Sequence, residues 1–286
     1  MTETVRRTAL VLGAGGMAGA GWMIGVLHGL AEAGTDLTTA DLIVGSSAGA
    51  VVGAQVASGK FALDALYESQ LTAPDGELPA RLGPGGILRY TLAVLTSRTP
   101  EAYGRKLGRL AGAARTVAPE VRREVVAGRL GPAADWPERP RLLITAVDAD
   151  SGELTAHDRD AGVPLTDAVT ASCAIPGIWP VVELAGRRWI DGGVHSTANA
   201  HLAAGCERVV VIAPSATGNK VILSPARQGA DLAAAGARVE VITPDAESRQ
   251  VFGQGSLDPA LRVPAARAGR AQAAAHARAV ADLWAQ

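Results

Sequence analysis

Cysteine is scarce: only Cys173 and Cys206 occur, both in apolar surroundings. Two thiols build no disulfide framework, so the usage fits a reducing, intracellular setting. Charge of one sign is lacking as well, since 27 Lys and Arg face 28 Asp and Glu for a net charge of −1. No overall field favours nucleic acid or an acidic membrane, and the local basic clusters read as solvated faces. Nucleic acid is therefore not an expected partner. Also absent is any Asp, Glu, Lys or Arg from Thr8 to Ala31, a stretch long enough to suggest a membrane span or a signal sequence. Seven of its residues are glycine and it starts on the strand-like ALVLG, which argues for strand, loop and buried helix instead. With no export signal, the expected location is cytoplasmic. There is no internal repeat and no linker long enough to separate two domains. With 48% hydrophobic residues, a single α/β domain over 1–286 is expected.

What is present is glycine, and it is most informative at Asp41 to Ala50, DLIVGSSAGA. This is G-x-S-x-G between an apolar run and a helix-forming segment, the context of a nucleophile elbow. A serine on so tight a turn needs neighbours without side chains, which Gly45 and Gly49 supply around Ser47. The following helix directs unpaired N–H groups toward the serine. With 34 glycines in the chain, the motif would arise by chance in about one such sequence in six, so it requires partners.

The rest of the chain supplies context. Ala9 to Leu12 reads as a buried strand, Gly13 to Gly19 as a glycine loop, and a helix follows to about Ala33, with Gly34 as its stop. Leu42 to Val44 is the second strand, and a helix runs from Ala48 to about Ala57. Both glycine loops therefore leave the same ends of neighbouring strands. From about 60 to 140, prolines at 74, 79, 84, 100, 119, 132, 137 and 140 break a helical insertion or cap into short pieces. Its helical patterns lie near Phe61 to Leu71, Ile87 to Thr96, Pro100 to Ala114 and Pro119 to Ala127. Strands are expected at Arg141 to Val147, Glu153 to His157, Arg208 to Ala213 and Val239 to Thr243. Val181 to Leu184 and Arg187 to Ile190 form a hairpin across Ala185-Gly186. Helices are expected at Pro164 to Ala174, Ala230 to Ala235 and about 264–286, the last interrupted near its start by Gly269.

A serine hydroxyl needs a group to take its proton. His28 and His276 fall inside helices and His157 on a hairpin, where packed or surface roles are commoner. His195 and His201 are better placed, and Asp191 better still. It ends a strand and is followed by Gly192 and Gly193, which let the backbone approach another loop. Gly15 and Gly16 can turn their N–H groups toward an oxyanion at the start of a helix.

Glycine loop, G-x-S-x-G and D-G-G in this order resemble the patatin-like phospholipase family. GVLHGLAEAG, DLIVGSSAGAVVGAQVASG, ASCAIPGIWPVV and RRWIDGGVHSTANAHLAAG are similar to that family beyond the three motifs. The resemblance implies a mostly parallel central sheet flanked by helices, a patatin-like three-layer sandwich. It implies a lipid acyl hydrolase with no cofactor and no metal, using Ser47 as nucleophile, Asp191 as base and Gly15 and Gly16 as oxyanion hole. Peripheral contact with a membrane is the further implication, with the apolar helical middle as a lipid-facing lid. The loop departs from the family pattern, with Ala14 at the first glycine and Ala18 where a basic residue is usual, so lipid esters in general are expected rather than phospholipids. Two other readings stand beside it: a catalytically weak lipid-binding member of the family, and a dinucleotide-binding protein using Gly13 to Ala18 as G-x-G-x-x-A. Asp36 meets the acidic requirement of the latter only loosely. A histidine-dependent α/β-hydrolase would place more strands before its elbow.

Overall fold

The computed structural model describes residues 7–72, 80–253 and 255–285; the prolines at 74 and 79 and the final residue of the expected C-terminal helix lie outside them. The segment TALVL forms β1 (Thr8–Leu12), with all five side chains buried. Leu10 and Leu12 enter one core and Ala9 and Val11 another, so both faces of the strand are covered. Parallel to β1 run β2 (Leu42–Ser46) on one side and β7 (Arg208–Ile212) on the other. Further out, β3 (Arg141–Asp148) lies parallel to β2, and β8 (Arg238–Ile242) parallel to β7. Antiparallel pairs complete the eight-stranded sheet: β4 (Leu154–His157) on β3, and the hairpin β5 (Val182–Leu184) and β6 (Arg187–Asp191), whose second strand pairs with β3. The mostly parallel sheet flanked by helices is thus the observed architecture.

The helices follow in chain order: α1 (Gly16–Glu32), α2 (Ala48–Ala57), α3 (Leu63–Gln70), α4 (Pro84–Thr96), α5 (Pro100–Gly112), α6 (Pro119–Leu130), α7 (Leu165–Ser172), α8 (Pro225–Ala234), α9 (Ala246–Phe252) and α10 (Arg262–Trp284). Helices α3 to α6 occupy the connection between β2 and β3. Proline stands at the first position of α4, α5 and α6, where its missing N–H costs nothing, so the prolines of this region start helices as well as separate them. Helix α8 begins earlier than expected because Ser224 caps it, accepting a hydrogen bond from Arg227 N, with Pro225 next. Helix α9 was not expected; Asp245 caps it by accepting from Ser248 N.

The glycine-rich helix α1, uncharged as far as Glu32 at its end, is buried against α10, and the glycines explain how closely. A Cβ at Gly25 would stand 2.1 Å from Ala266 O, and one at Gly29 2.7 Å from Arg270 O. Gly269, expected to interrupt α10, lies inside a continuous helix; a Cβ there would meet Trp22 O at 2.2 Å. Its role is backbone-to-backbone approach rather than helix breaking. Gly25→Ala should therefore force the two helices apart and lower stability by about 1–3 kcal/mol, read as a fall in the urea midpoint. An unchanged midpoint would mean that the helix pair has slack. Among the described residues, no helix is long and apolar enough to cross a membrane.

Candidate active site

The G-x-S-x-G segment forms a tight turn from strand to helix. Ser47 lies between β2 and α2 with φ 54° and ψ −117°, a region that side-chain-bearing residues rarely adopt. Its glycine neighbours make the turn sterically possible. A Cβ at Gly49 would sit 2.0 Å from Leu12 O, and one at Gly45 2.6 Å from Gly49 O. The Ser47 side chain is buried, and its Oγ donates to Asp191 Oδ2 at 2.6 Å.

The sheet register brings these two residues together. Along β3, Thr145 pairs with Ser46 at the end of β2, and the next residue, Ala146, pairs with Asp191 at the end of β6. Because Ile144 to Val147 already pair with β4 along the other edge, β2 and β6 share one edge of β3 and meet head to head. Ser47 turns away where the two strands meet. On the far side, Asp191 Oδ1 accepts from Gly193 N at 2.7 Å, which fixes the carboxylate. Gly192 is required at this point because a Cβ would lie 2.2 Å from Thr145 Oγ1.

Burial pushes the Asp191 carboxyl up from 3.8 to about 6; hydrogen bonds from Ser47 and Gly193 N and the positive field of Arg122 act in the opposite direction. Near neutral pH Asp191 is still mostly a carboxylate, and a more basic one than an exposed aspartate.

Several supporting groups escaped the sequence reading. Ser172 Oγ accepts from Ser47 N at 2.9 Å, and the Cys173 thiol, pushed up to about 11 by burial, donates to Ser47 O. Asn199, in left-handed conformation and fully buried, donates through Nδ2 to Ser46 Oγ at 2.8 Å and to Gly192 O at 3.1 Å. Ser46 Oγ and Thr145 Oγ1 are themselves 2.7 Å apart. Asn199 thus ties the strand carrying the elbow to the turn carrying the aspartate. The only sequence signal was an asparagine eight residues after Asp191, with no local motif around it.

Gly16 and Met17, the first residues of α1, line a cavity that also contains Ser47. Gly16 has φ 63°, and a Cβ on Gly15 would meet Pro214 Cβ at 2.4 Å, so both loop positions require glycine. Among the described residues neither Gly15 nor Gly16 donates its N–H to a backbone carbonyl. The walls are largely apolar, with Ile24, Val51, Ile175 and Trp179 among them. Arg122 of α6 is buried there with its guanidinium 4.3 Å from the centre of the Trp179 ring. Arg129, also on α6, reaches Met17 Sδ at 3.1 Å, so positive charge approaches from a distant helix the very loop that lacks a basic residue at Ala18.

The histidines lie elsewhere. His28 bonds Asp64 and stacks on Tyr67, His276 bonds Glu240, and His157 packs edge-on against Trp189. His195 Nδ1 lies 3.2 Å from Asn199 Oδ1, with the ring of His201 beside it. Among the described residues no histidine hydrogen-bonds Ser47 or Asp191. No group of three or more His, Cys, Asp or Glu among them could hold a metal ion.

A strained serine at a strand–helix turn, bonded to a buried aspartate on a neighbouring strand, defines a serine–aspartate site on an α/β sheet. The family model described as "Patatin-like phospholipase" matches residues 10–204. The chain belongs to the patatin-like phospholipase family. Uncharacterized NTE family proteins of Mycobacterium tuberculosis (strain H37Rv) and Mycobacterium bovis are 31% identical over 223 residues, covering 77% of this chain and 51% of theirs. The chain therefore spans about half the length of the curated relatives it matches. Crystal structures of VipD from Legionella pneumophila and of the type III effector ExoU are each 16% identical, with TM-scores of 0.37 and 0.44. The VipD match covers 66% of this chain and 46% of that one; the ExoU match covers 96% and 53%.

Proposed function

We propose that this protein is a serine acyl hydrolase of lipid esters working through a Ser47–Asp191 dyad. The observation that carries the reading is the 2.6 Å hydrogen bond from Ser47 Oγ to a carboxylate whose basicity is raised by burial. Ser47 attacks the ester carbonyl carbon as its proton passes to Asp191 Oδ2. The N–H groups of Gly15 and Gly16 hold the resulting oxyanion, fixed in place before the substrate arrives. Collapse of the intermediate transfers the proton to the departing alcohol and leaves Ser47 acylated. Water then gives a proton to Asp191 and attacks the acyl carbonyl, releasing the carboxylic acid and restoring the serine. Gly45 and Gly49 serve the elbow, and Gly192 and Gly193 the aspartate turn. The apolar cavity wall accommodates the acyl chain. Helices α3 to α6 form a cap within a single domain, since Gln70 of α3 and Arg122 and Arg129 of α6 all reach the Ser47 cavity. A dinucleotide in the Gly13 to Ala18 loop would leave the serine–aspartate contact without a role.

A fluorophosphonate probe separates these readings. It should form one adduct, on the peptide containing Ser47, in proportion to the loss of hydrolysis of a chromogenic short-chain ester. His195→Ala should label and hydrolyse like the parent. Labelling at another residue, or loss of labelling in His195→Ala with retention in Asp191→Asn, would replace the dyad with a histidine-based site.

A further inference from the structure

Helix α4 leaves an unusual amount of apolar surface uncovered. Ile87, Leu88, Leu92 and Leu95 are between 49% and 61% exposed, while Ala93 is the helix's buried residue. Leu88, Leu92 and Leu95 follow the i, i+4, i+7 spacing of one helical face, and Ile87 widens it. The opposite face anchors the helix: Tyr90 and Val94 pack on the cluster of Tyr103, Leu107 and Ile190, and Tyr90 Oη donates to Pro176 O at 3.0 Å. A helix of 13 residues presents this face over about 20 Å.

Along the stretch that carries the face the charge has one sign, in a chain whose overall charge is nearly zero. From Arg81 to Pro100 there is no Asp or Glu but three arginines. Arg81 pairs with Asp258, whereas Arg89 and Arg98 have no carboxylate within ion-pair distance among the described residues. At the C-terminal end of α4, Lys106 Nζ donates to Thr96 O at 2.7 Å, and Lys220 Nζ donates to Leu95 O. An apolar stripe edged by exposed cations has the composition of a surface that lies in the headgroup region of an anionic bilayer. A two-fold pairing of two copies through α4 would instead bring like charges together.

We propose that the exposed face of α4 docks the protein on anionic lipid bilayers. Ile87, Leu88, Leu92 and Leu95 enter the boundary between headgroups and acyl chains, and Arg89 and Arg98 meet the lipid phosphates. The anchored face of the same helix holds Pro176, between the cavity-lining residues Ile175 and Trp179, so docking brings the Ser47 cavity beside the lipid surface. The purpose of this contact rests on the lipid-ester reading; the binding itself does not require it.

Co-sedimentation of the full chain with phosphatidylglycerol-containing vesicles, against phosphatidylcholine alone, tests the surface without any turnover. The parent and Ser47→Ala should bind the anionic vesicles equally. Leu88→Glu combined with Leu92→Glu should lower partitioning by ~100-fold, through lost apolar insertion and added negative charge. Arg89→Glu combined with Arg98→Glu should lower it by ~10-fold or more on anionic vesicles only, an effect that shrinks in high salt. Short-chain ester hydrolysis by the leucine variant should equal the parent's, which shows that it folds. Unaltered partitioning of that variant would overturn the proposal. So would a concentration-dependent dimer, seen by light scattering, that the leucine substitutions dissolve, since α4 would then be a self-association face. Loss of the hydrolase reading with vesicle binding retained would leave the docking surface standing.

Discussion

Ser47→Ala is expected to lower the hydrolysis of a short-chain ester by ~10⁴-fold or more, because no other atom can form the acyl-enzyme. Substrate binding should survive, since the apolar wall from Ile24 to Trp179 is untouched. The backbone offers a second, independent measurement. Ser47 holds φ 54° and ψ −117°, and a residue with a Cβ in such a region carries about 1–3 kcal/mol of strain. Alanine retains that strain and glycine releases it, while both remove the same hydrogen bond to Asp191. Glycine also has a more costly unfolded-state entropy, by about 0.4–1 kcal/mol, so Ser47→Gly should exceed Ser47→Ala in stability by about 1 kcal/mol. Chemical denaturation of the two inactive variants gives this difference directly. Ser47→Gly less stable than Ser47→Ala by about 0.4–1 kcal/mol would show that the elbow stores no strain, and residual hydrolysis near the parent rate in either would remove Ser47 from the mechanism.

Asp191→Asn should also lose hydrolysis by several orders of magnitude, and its effect on stability should change with pH. In the folded chain burial raises this carboxyl from 3.8 to about 6. Between those values the unfolded chain is ionised while the folded chain holds the proton, so folding takes up a proton. The stabilisation is complete below pH 3.8, declines as pH rises through about 6 and is absent above it. The loss amounts to about 3 kcal/mol, and activity runs the other way, half-maximal near pH 6 and rising to a plateau above it. Asparagine has no charge to desolvate. The stability of Asp191→Asn relative to the parent should therefore increase by roughly that amount between pH 4 and pH 8, with other titrating groups cancelling. Unfolding curves at the two pH values test this. A difference that does not change with pH would mean that the carboxylate is not held under desolvation, and the argument for it as a strengthened base would fail.

Much of this site could be read before folding because backbone geometry leaves a record in local sequence. Gly45, Gly49, Gly192 and Gly193 mark places where chain meets chain, and each does so in the structure. Strand boundaries were legible for the same kind of reason: a strand buried on both faces, such as Thr8–Leu12, must be apolar throughout. Gly269 was misread because a glycine that breaks a helix and one that admits another backbone look alike in one dimension. Asn199 and Ser172 were missed because their partners lie far away, 153 residues from Asn199 to Ser46 and 125 from Ser172 to Ser47.

The sequence by itself determined where the chain could turn sharply, which strands were buried and which few side chains could do chemistry, since these follow from Cβ sterics and hydrophobic period. The tertiary structure alone decided that Ser47 meets Asp191 and not a histidine. That outcome depends on β2 and β6 ending against adjacent residues of β3, Thr145 and Ala146, a register no local segment encodes. The same packing set the basicity of the aspartate, because desolvation is a property of everything around a carboxylate and of nothing in its immediate sequence.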